Sequence, residues 1–419
     1  MKIALAILNF LLIFLCVYLL SKKWKATTDK LFWSAFLLRL VAGTCVGLVY
    51  SYYYSANDTW SFFNVAKGLS ILAHENFFSF VNVLLEFSDT QDLPLFVNHD
   101  LRSIFFIKII SVFCLVSGDN YWVCAAYFSL LSFTASWQLH RKVTEIFPQS
   151  SWASILAFLF FPSVIFWGSG LEKESVALSA IYFLATLFLS VFYKTKTPLW
   201  LWPLNACAMV AVWGLKYYWA IIFFISTLTA LIANFLCSRF SIKDNYRIAV
   251  FAFVFILLAF VGRCFHPNFY FSRFLEVLVS NHQEFVKISD RNNLIHFYQL
   301  EPSWTSVFIN SPLALLSGMF RPFVGEGQGL LGHVASIENL LVLLLFIYSI
   351  KNFNKAFRSQ HQLVFLSVVS YAVVLCVFLA LSTPNFGTLS RYRVGFLPFI
   401  VFLFSYRNPL LDWINKKIS

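Results

Sequence analysis

Long apolar runs separated by short polar gaps set the rhythm of this chain, and their length fits membrane-crossing helices. The first, Ile3 to Leu20, can cross a bilayer and is followed by Lys22, Lys23 and Lys25. Its length, the near-absence of positive charge ahead of it and the lack of a small-residue cleavage motif predict a retained helix in place of a signal peptide. Leu31 to Tyr50 returns across the membrane. Further spans are predicted over Tyr121 to Gln138, Trp152 to Trp167, Val176 to Tyr193, Leu199 to Trp213, Trp219 to Leu236, Ile248 to Val261, Ile337 to Ile350, Leu363 to Leu381 and Val394 to Tyr406. The total is about eleven.

Alternate gaps are basic. Arg141 and Lys142, then Lys194 and Lys196, then Arg239, Lys243 and Arg247, then Lys351, Lys355 and Arg358, and finally Arg407, Lys416 and Lys417 fall on one side. That side is predicted to be cytoplasmic. Two long stretches then lie outside. Residues 51–119 mix His74, Glu75, Asp89, Asp92, Pro94, His99 and Asp100 with apolar pieces, and the short run Ile104 to Val116 contains Lys108. They read as an external loop with interfacial or re-entrant helices, because a full crossing there would invert every later gap. Residues 262–336 are rich in His, Pro and Gly yet too apolar for a water-soluble domain, and predict a lid folded onto the membrane surface. The expected architecture is one all-α polytopic membrane domain, 1–419.

Composition sharpens this. The chain is 59% hydrophobic and 12% charged, with a mean hydropathy of +0.74, far outside the range of soluble domains. Fifty-one Phe and 13 Trp suit a surface facing lipid. A net charge of +12 would suggest nucleic acid, but the cations occupy the short gaps, so orientation in the membrane accounts for them and no nucleic-acid partner is expected. Eight Cys are scattered, including Cys16, Cys45 and Cys376, with no CxxC pair; they predict buried free thiols in place of a disulfide framework or zinc site.

The candidate chemistry falls on the outer side. In YSYYYSANDTWSFFNVAK, from Tyr50 to Lys67, a tyrosine cluster marks the membrane boundary and Asp58 stands just beyond it. Asp58 is either an exposed N-cap of the segment Trp60 to Leu72 or a working carboxylate. The turn GSGLEKES places Glu172, Lys173 and Glu174 at the start of a span, where carboxylates also suit the helix dipole. Ionisable groups so near lipid point to function. Lys216, in WGLKYYWA, either snorkels or serves a site. In SRYR, Arg391 and Arg393 flank Tyr392 against the orientation trend, so they need an anionic partner. Arg321 and Glu326, in FRPFVGEG, form a similar charged knot ahead of Glu338. Outward-facing cations with carboxylates suit a lipid-linked phosphate, with a carboxylate as general base or as holder of a divalent cation such as Mg or Mn.

Asp58 with Phe62 in a DxxxF frame, the acid–base turn after PSVIFWGSG, and the ending RYRVGFLPFIVFLFSY together resemble the GT-C class of membrane glycosyltransferases, of the family 39 kind. The resemblance implies a polyprenyl-phosphate-linked sugar donor, an envelope glycan or glycolipid acceptor, and an inverting transfer on the periplasmic face of a bacterial inner membrane. It makes Asp58 the catalytic carboxylate and the holder of a metal, if one is used, with Glu172 or Glu174 as the second acidic motif. Lys216, Arg391 and Arg393 become donor-phosphate ligands, with Lys173, Arg321 and Tyr392 beside them. The sequence departs from the family in having Phe62 where Tyr is expected and an additional first helix. A polymerase of lipid-linked glycans fits the same parts, and a flippase would want the same cations but is expected to show discontinuous or repeated helices.

Overall fold

The computed structural model describes residues 2–54, 57–86, 96, 99–357 and 361–411. Asp89, Asp92, Pro94, Arg358, Lys416 and Lys417 lie outside them. Among the described residues no strand forms, and the helices run α1 Lys2–Lys23, α2 Lys30–Tyr52, α3 Asp58–Glu75, α4 Phe77–Leu85, α5 Leu101–Ser117, α6 Tyr121–Ile146, α7 Ser151–Ser154, α8 Pro162–Trp167, α9 Lys173–Phe192, α10 Leu201–Arg239, α11 Arg247–Gly262, α12 Phe271–Ile288, α13 Trp304–Phe320, α14 Gly329–Phe357, α15 Gln362–Ser382, α16 Phe386–Tyr392 and α17 Leu397–Ser405. Their boundaries follow local chemistry. Asp29, Asn76, Asp100, Ser303 and Asn385 cap α2, α4, α5, α13 and α16 by accepting backbone N–H bonds. Gly118, at φ 64, closes α5 in the left-handed region.

Among the described residues seven helices are long and apolar enough to cross a membrane, or eight when α5 and α6, bent by 113°, count as one broken span. Three stretches account for the difference from the expected count. The two predicted spans 199–213 and 219–236 lie on either side of the point where α10 loses helical geometry, at Lys216 (φ −145, ψ 63), so Leu201–Arg239 counts once although it holds both. The predicted span 152–167 is interrupted: α7 passes into a π-helix over Ile155–Phe160, and Pro162 then forces a restart as α8. The last predicted span shrinks to α17, nine residues long, which covers only about 14 Å.

The chain divides into two compact units. The first comprises Met1–Leu139, Ile165–Ala185 and Pro198–Tyr217. Its core joins α2 to α6 through Phe32 against Phe133 (5.0 Å) and Trp137 (4.9 Å), while α3 packs along α5 through Phe62 and Phe106. The helix α1 is tied in by one buried amide: Asn9 donates to the Val116 carbonyl (3.1 Å) and accepts from the Tyr127 hydroxyl (2.6 Å). Elsewhere on α1, Ile3, Ile7, Leu11, Leu15 and Leu19 are exposed, as suits contact with lipid.

The second unit comprises His140–Val164, Thr186–Thr197 and Tyr218–Ser419. Here α12 and α13 both pack on α15, so residues 262–336 contain two helices with opposite habits. α12 buries Leu275, Leu278 and Val279 and exposes Arg273, Glu276, Glu284 and Lys287. α13 exposes Phe308, Ile309, Leu313 and Leu316. The helix α17 is buried over its whole length, against the π-helix, α14 and α15, through contacts such as Phe158–Phe402 (5.5 Å) and Tyr371–Phe399 (5.5 Å). Since lipid tails are as apolar as these side chains, close packing and buried hydrogen bonds hold such an interior together. Cys114, Cys124, Cys237 and Cys376 are buried free thiols as expected, whereas Cys16, Cys45, Cys207 and Cys264 are exposed on the chain.

Candidate functional site

In the first unit the turn of Gly168 to Ser175 is held by the middle of α2 and α6. Arg39, fully buried on α2, donates through Nη1 to the Ser132 hydroxyl (2.5 Å) and to the Gly168 carbonyl (3.3 Å), and Ser132 also donates to that carbonyl. The Gly170 N–H donates to Ser129 (3.1 Å). Gly170 has φ +70, and a Cβ there would sit 2.8 Å from the Gly43 carbonyl oxygen. The turn is therefore not perched at the outer rim; its backbone touches the central residues of α2. Gly170→Ala is expected to destabilise the protein by about 2–5 kcal/mol, from left-handed strain plus overpacking. A melting temperature in detergent equal to that of the parent would rule out this tight approach.

From this turn α9 rises with its first residues charged. Glu172 and Glu174 are buried, and Glu174 Oε1 accepts from Lys216 Nζ at 2.8 Å, with both side chains almost fully enclosed. Lys216 reaches it from the point where α10 unwinds. Lys173 points elsewhere: it donates to the Ser103 hydroxyl (2.6 Å), lies 3.9 Å from Asp100 and sits 4.6 Å over the Phe62 ring. The DxxxF segment and the acid–base turn, far apart in sequence, thus meet within one unit. Asp100 is the cap of α5, accepting from the Ser103 N–H (2.9 Å) and from Arg102 Nε (3.0 Å). Burial works against its charge, but the Ser103 hydroxyl, Lys173 and Arg102 outweigh burial and lower its pKa to about 2. Because the folded value is depressed from 3.8, the stability Asp100 contributes is complete above about pH 4 and lost as pH falls towards 2.

Asp58 is exposed in the first turn of α3, and the cap position belongs to Asn57. Next to it, the buried Thr59 hydroxyl is 2.5 Å from the Tyr121 hydroxyl, and Tyr121 lies near enough to Glu172 to feel its charge.

The second unit holds the other candidates. Arg321 and Glu326 form a two-pronged pair, Nε to Oε2 at 3.0 Å and Nη2 to Oε1 at 2.9 Å, and the guanidinium lies 4.9 Å over Phe386. Hydrogen bonds from Arg321 hold the Glu326 carboxyl below its usual range. Arg393 is buried and donates to Glu338 Oε1 (2.9 Å) and to Asn339; Glu338 also accepts from the Ser163 N–H (2.7 Å) and hydroxyl (2.6 Å). Asn339 in turn donates to the Pro322 carbonyl (3.0 Å), beside Arg321. The anionic partner required by the RYR segment is, for Arg393, a carboxylate of the protein. Arg391 and Tyr392 are half-buried at the end of α16, with the guanidinium 5.2 Å from the Tyr392 ring.

Sequence reasoning passed over Asp100, Ser103, Tyr121, Ser163 and Asn339. Asp100 followed three residues later by Ser103, ahead of an apolar run, was a legible capping signal; Glu338 inside an apolar span was a legible sign of a buried partner. No group of three or more His, Cys, Asp or Glu residues placed to hold a metal ion occurs among the described residues. No family model, no curated protein and no solved structure matches the chain.

Proposed function

We propose that this chain is a membrane glycosyltransferase of the GT-C kind, moving a sugar from a polyprenyl-phosphate donor to an envelope glycan or glycolipid. The observation that carries the reading is the charged cluster of the first unit: Asp100, Glu172, Glu174, Lys173 and Lys216 gathered around the start of α9, with Lys173 over Phe62 of the Asp58 segment. Such groups are costly beside lipid and are kept for chemistry or ligand binding. In the proposed step Asp58 takes the proton of the acceptor hydroxyl, the acceptor oxygen attacks the anomeric carbon, and the carbon–oxygen bond to phosphate breaks. The electron pair leaves with the polyprenyl phosphate, and the anomeric configuration inverts. Within the first unit, Lys173 is the proposed phosphate ligand. Lys216 and Arg393 serve first as counter-ions to Glu174 and Glu338.

One observation favours the flippase reading: α10 is discontinuous at a buried lysine, the kind of break from which transporters build substrate sites. The two readings separate in proteoliposomes containing a polyprenyl-phosphate monosaccharide and envelope lipid acceptors. Transfer predicts glycosylated acceptor and free polyprenyl phosphate, and Lys173→Ala should weaken donor binding by about 1.5–3 kcal/mol. Movement of intact donor between leaflets with no product would replace this reading by transport.

The orientation follows the basic gaps, with the acidic turn and Asp58 on the periplasmic side of a bacterial inner membrane. Cysteines placed at Asp58 and Arg391 should react with an impermeant thiol reagent in intact cells lacking the native cysteines, and one at Lys355 should not. Labelling of Lys355 and protection of Asp58 would invert the assignment.

A further inference from the structure

Around Tyr121, the first residue of α6, two other helices of the first unit close on one ring. Trp60 of α3 stacks on it at 3.8 Å with planes 9° apart, Phe63 meets its edge at 5.4 Å, and its hydroxyl is 2.5 Å from Thr59. From α2, Gly47 makes room: a Cβ there would lie 2.7 Å from the Tyr121 ring and 2.9 Å from that of Trp122. The Gly47 carbonyl accepts from Trp60 Nε1 at 3.2 Å, so the same glycine both admits the ring and holds its stacking partner. Ring, hydroxyl and glycine together fix residues 59–63, the first turn and a half of α3. Asp58 is the residue immediately before.

We infer that Tyr121 is the positioning residue that sets the Asp58 end of α3 against the start of α6 and the outer end of α2. This rests on the reading of Asp58 as the carboxylate that activates the acceptor. Stacking alone would hold the helix at a boundary rich in aromatic rings, and for that a phenylalanine would serve as well. The hydroxyl adds a fixed direction. Its bond to Thr59 holds the rotation of the α3 end about the stacked rings, and a carboxylate that abstracts a proton needs its place held to a fraction of an ångström.

The test uses the full-length protein. Cells lacking the gene are complemented with Tyr121→Phe, Thr59→Val, the double variant or Asp58→Asn, and envelope glycan per cell is measured. The purified proteins are tested in lipid nanodiscs for melting temperature and for binding of undecaprenyl phosphate. Tyr121→Phe and Thr59→Val should each lower product roughly tenfold or more. The double variant should fall no further than either single one, because both remove one bond. Lipid binding should stay unchanged in all of them, a split that a merely structural loss would not produce. Full product from Tyr121→Phe beside an inactive Asp58→Asn overturns the inference and leaves the transferase reading standing, as do losses that add in the double variant. An active Asp58→Asn overturns the reading itself.

Discussion

Asp58→Asn is expected to abolish transfer while the protein stays folded and still binds its lipid donor. The structure narrows what else the change could do. Asn57, not Asp58, occupies the cap position of α3, and the Asp58 side chain is exposed in the first turn. A negative charge at a helix start is favourably placed, which contributes about 0.3–1 kcal/mol. A general base loses far more when neutralised, roughly a hundredfold to ten-thousandfold in rate. The measurement is product formed by purified protein in proteoliposomes, with undecaprenyl phosphate binding as the control. Normal turnover in the Asn variant would remove Asp58 from the mechanism and leave Glu172 as the next carboxylate to neutralise.

The second large effect belongs to the ion pair of Lys216 and Glu174. Both side chains are enclosed, at 5% and 2% exposure, and 2.8 Å apart. Lys216→Met strands a buried carboxylate and Glu174→Gln strands a buried ammonium, so each alone should lower stability by about 3–5 kcal/mol. The double variant Glu174→Gln with Lys216→Met should recover most of that loss, because a neutral pair needs no compensation. Thermal melting in detergent reads all three. If the singles melt like the parent, the two charges are not enclosed as described. If the double variant melts normally but forms no product, the pair serves the reaction as well as the fold.

How much of this was legible in the sequence differs by feature. The helical, membrane-embedded character followed from run length and composition; the first two spans and Leu363 to Leu381 fall within α1, α2 and α15, and Val176 to Tyr193 overruns the end of α9 by one residue. The break at Lys216 was half legible: the sequence placed a turn there between two spans, but nothing in WGLKYYWA says that the helix resumes after a single residue. The depth of the Gly168–Ser175 turn was not legible at all, because it depends on Gly43 and Ser129 facing it from other helices. Reading cations singly also misled. Arg393 looked like a ligand in search of an anion, and the anion proved to be Glu338, more than fifty residues earlier and hidden in an apolar run. The meeting of Lys173 with Phe62 and Asp100 is likewise a product of packing between distant segments.

The enclosure of α17 carries a consequence for how the chain is made. A nine-residue helix covers about 14 Å, less than half of the roughly 30 Å of hydrocarbon that a spanning segment must match. Left alone in a bilayer it would expose unpaired backbone at its ends to lipid, which is forbiddingly costly. Its seat is built from α14, α15 and the π-helix of Ile155–Phe160. These surfaces come from segments that precede it in the chain, so α17 enters a receptacle that is already standing, and those earlier steps of insertion must succeed before it can be seated.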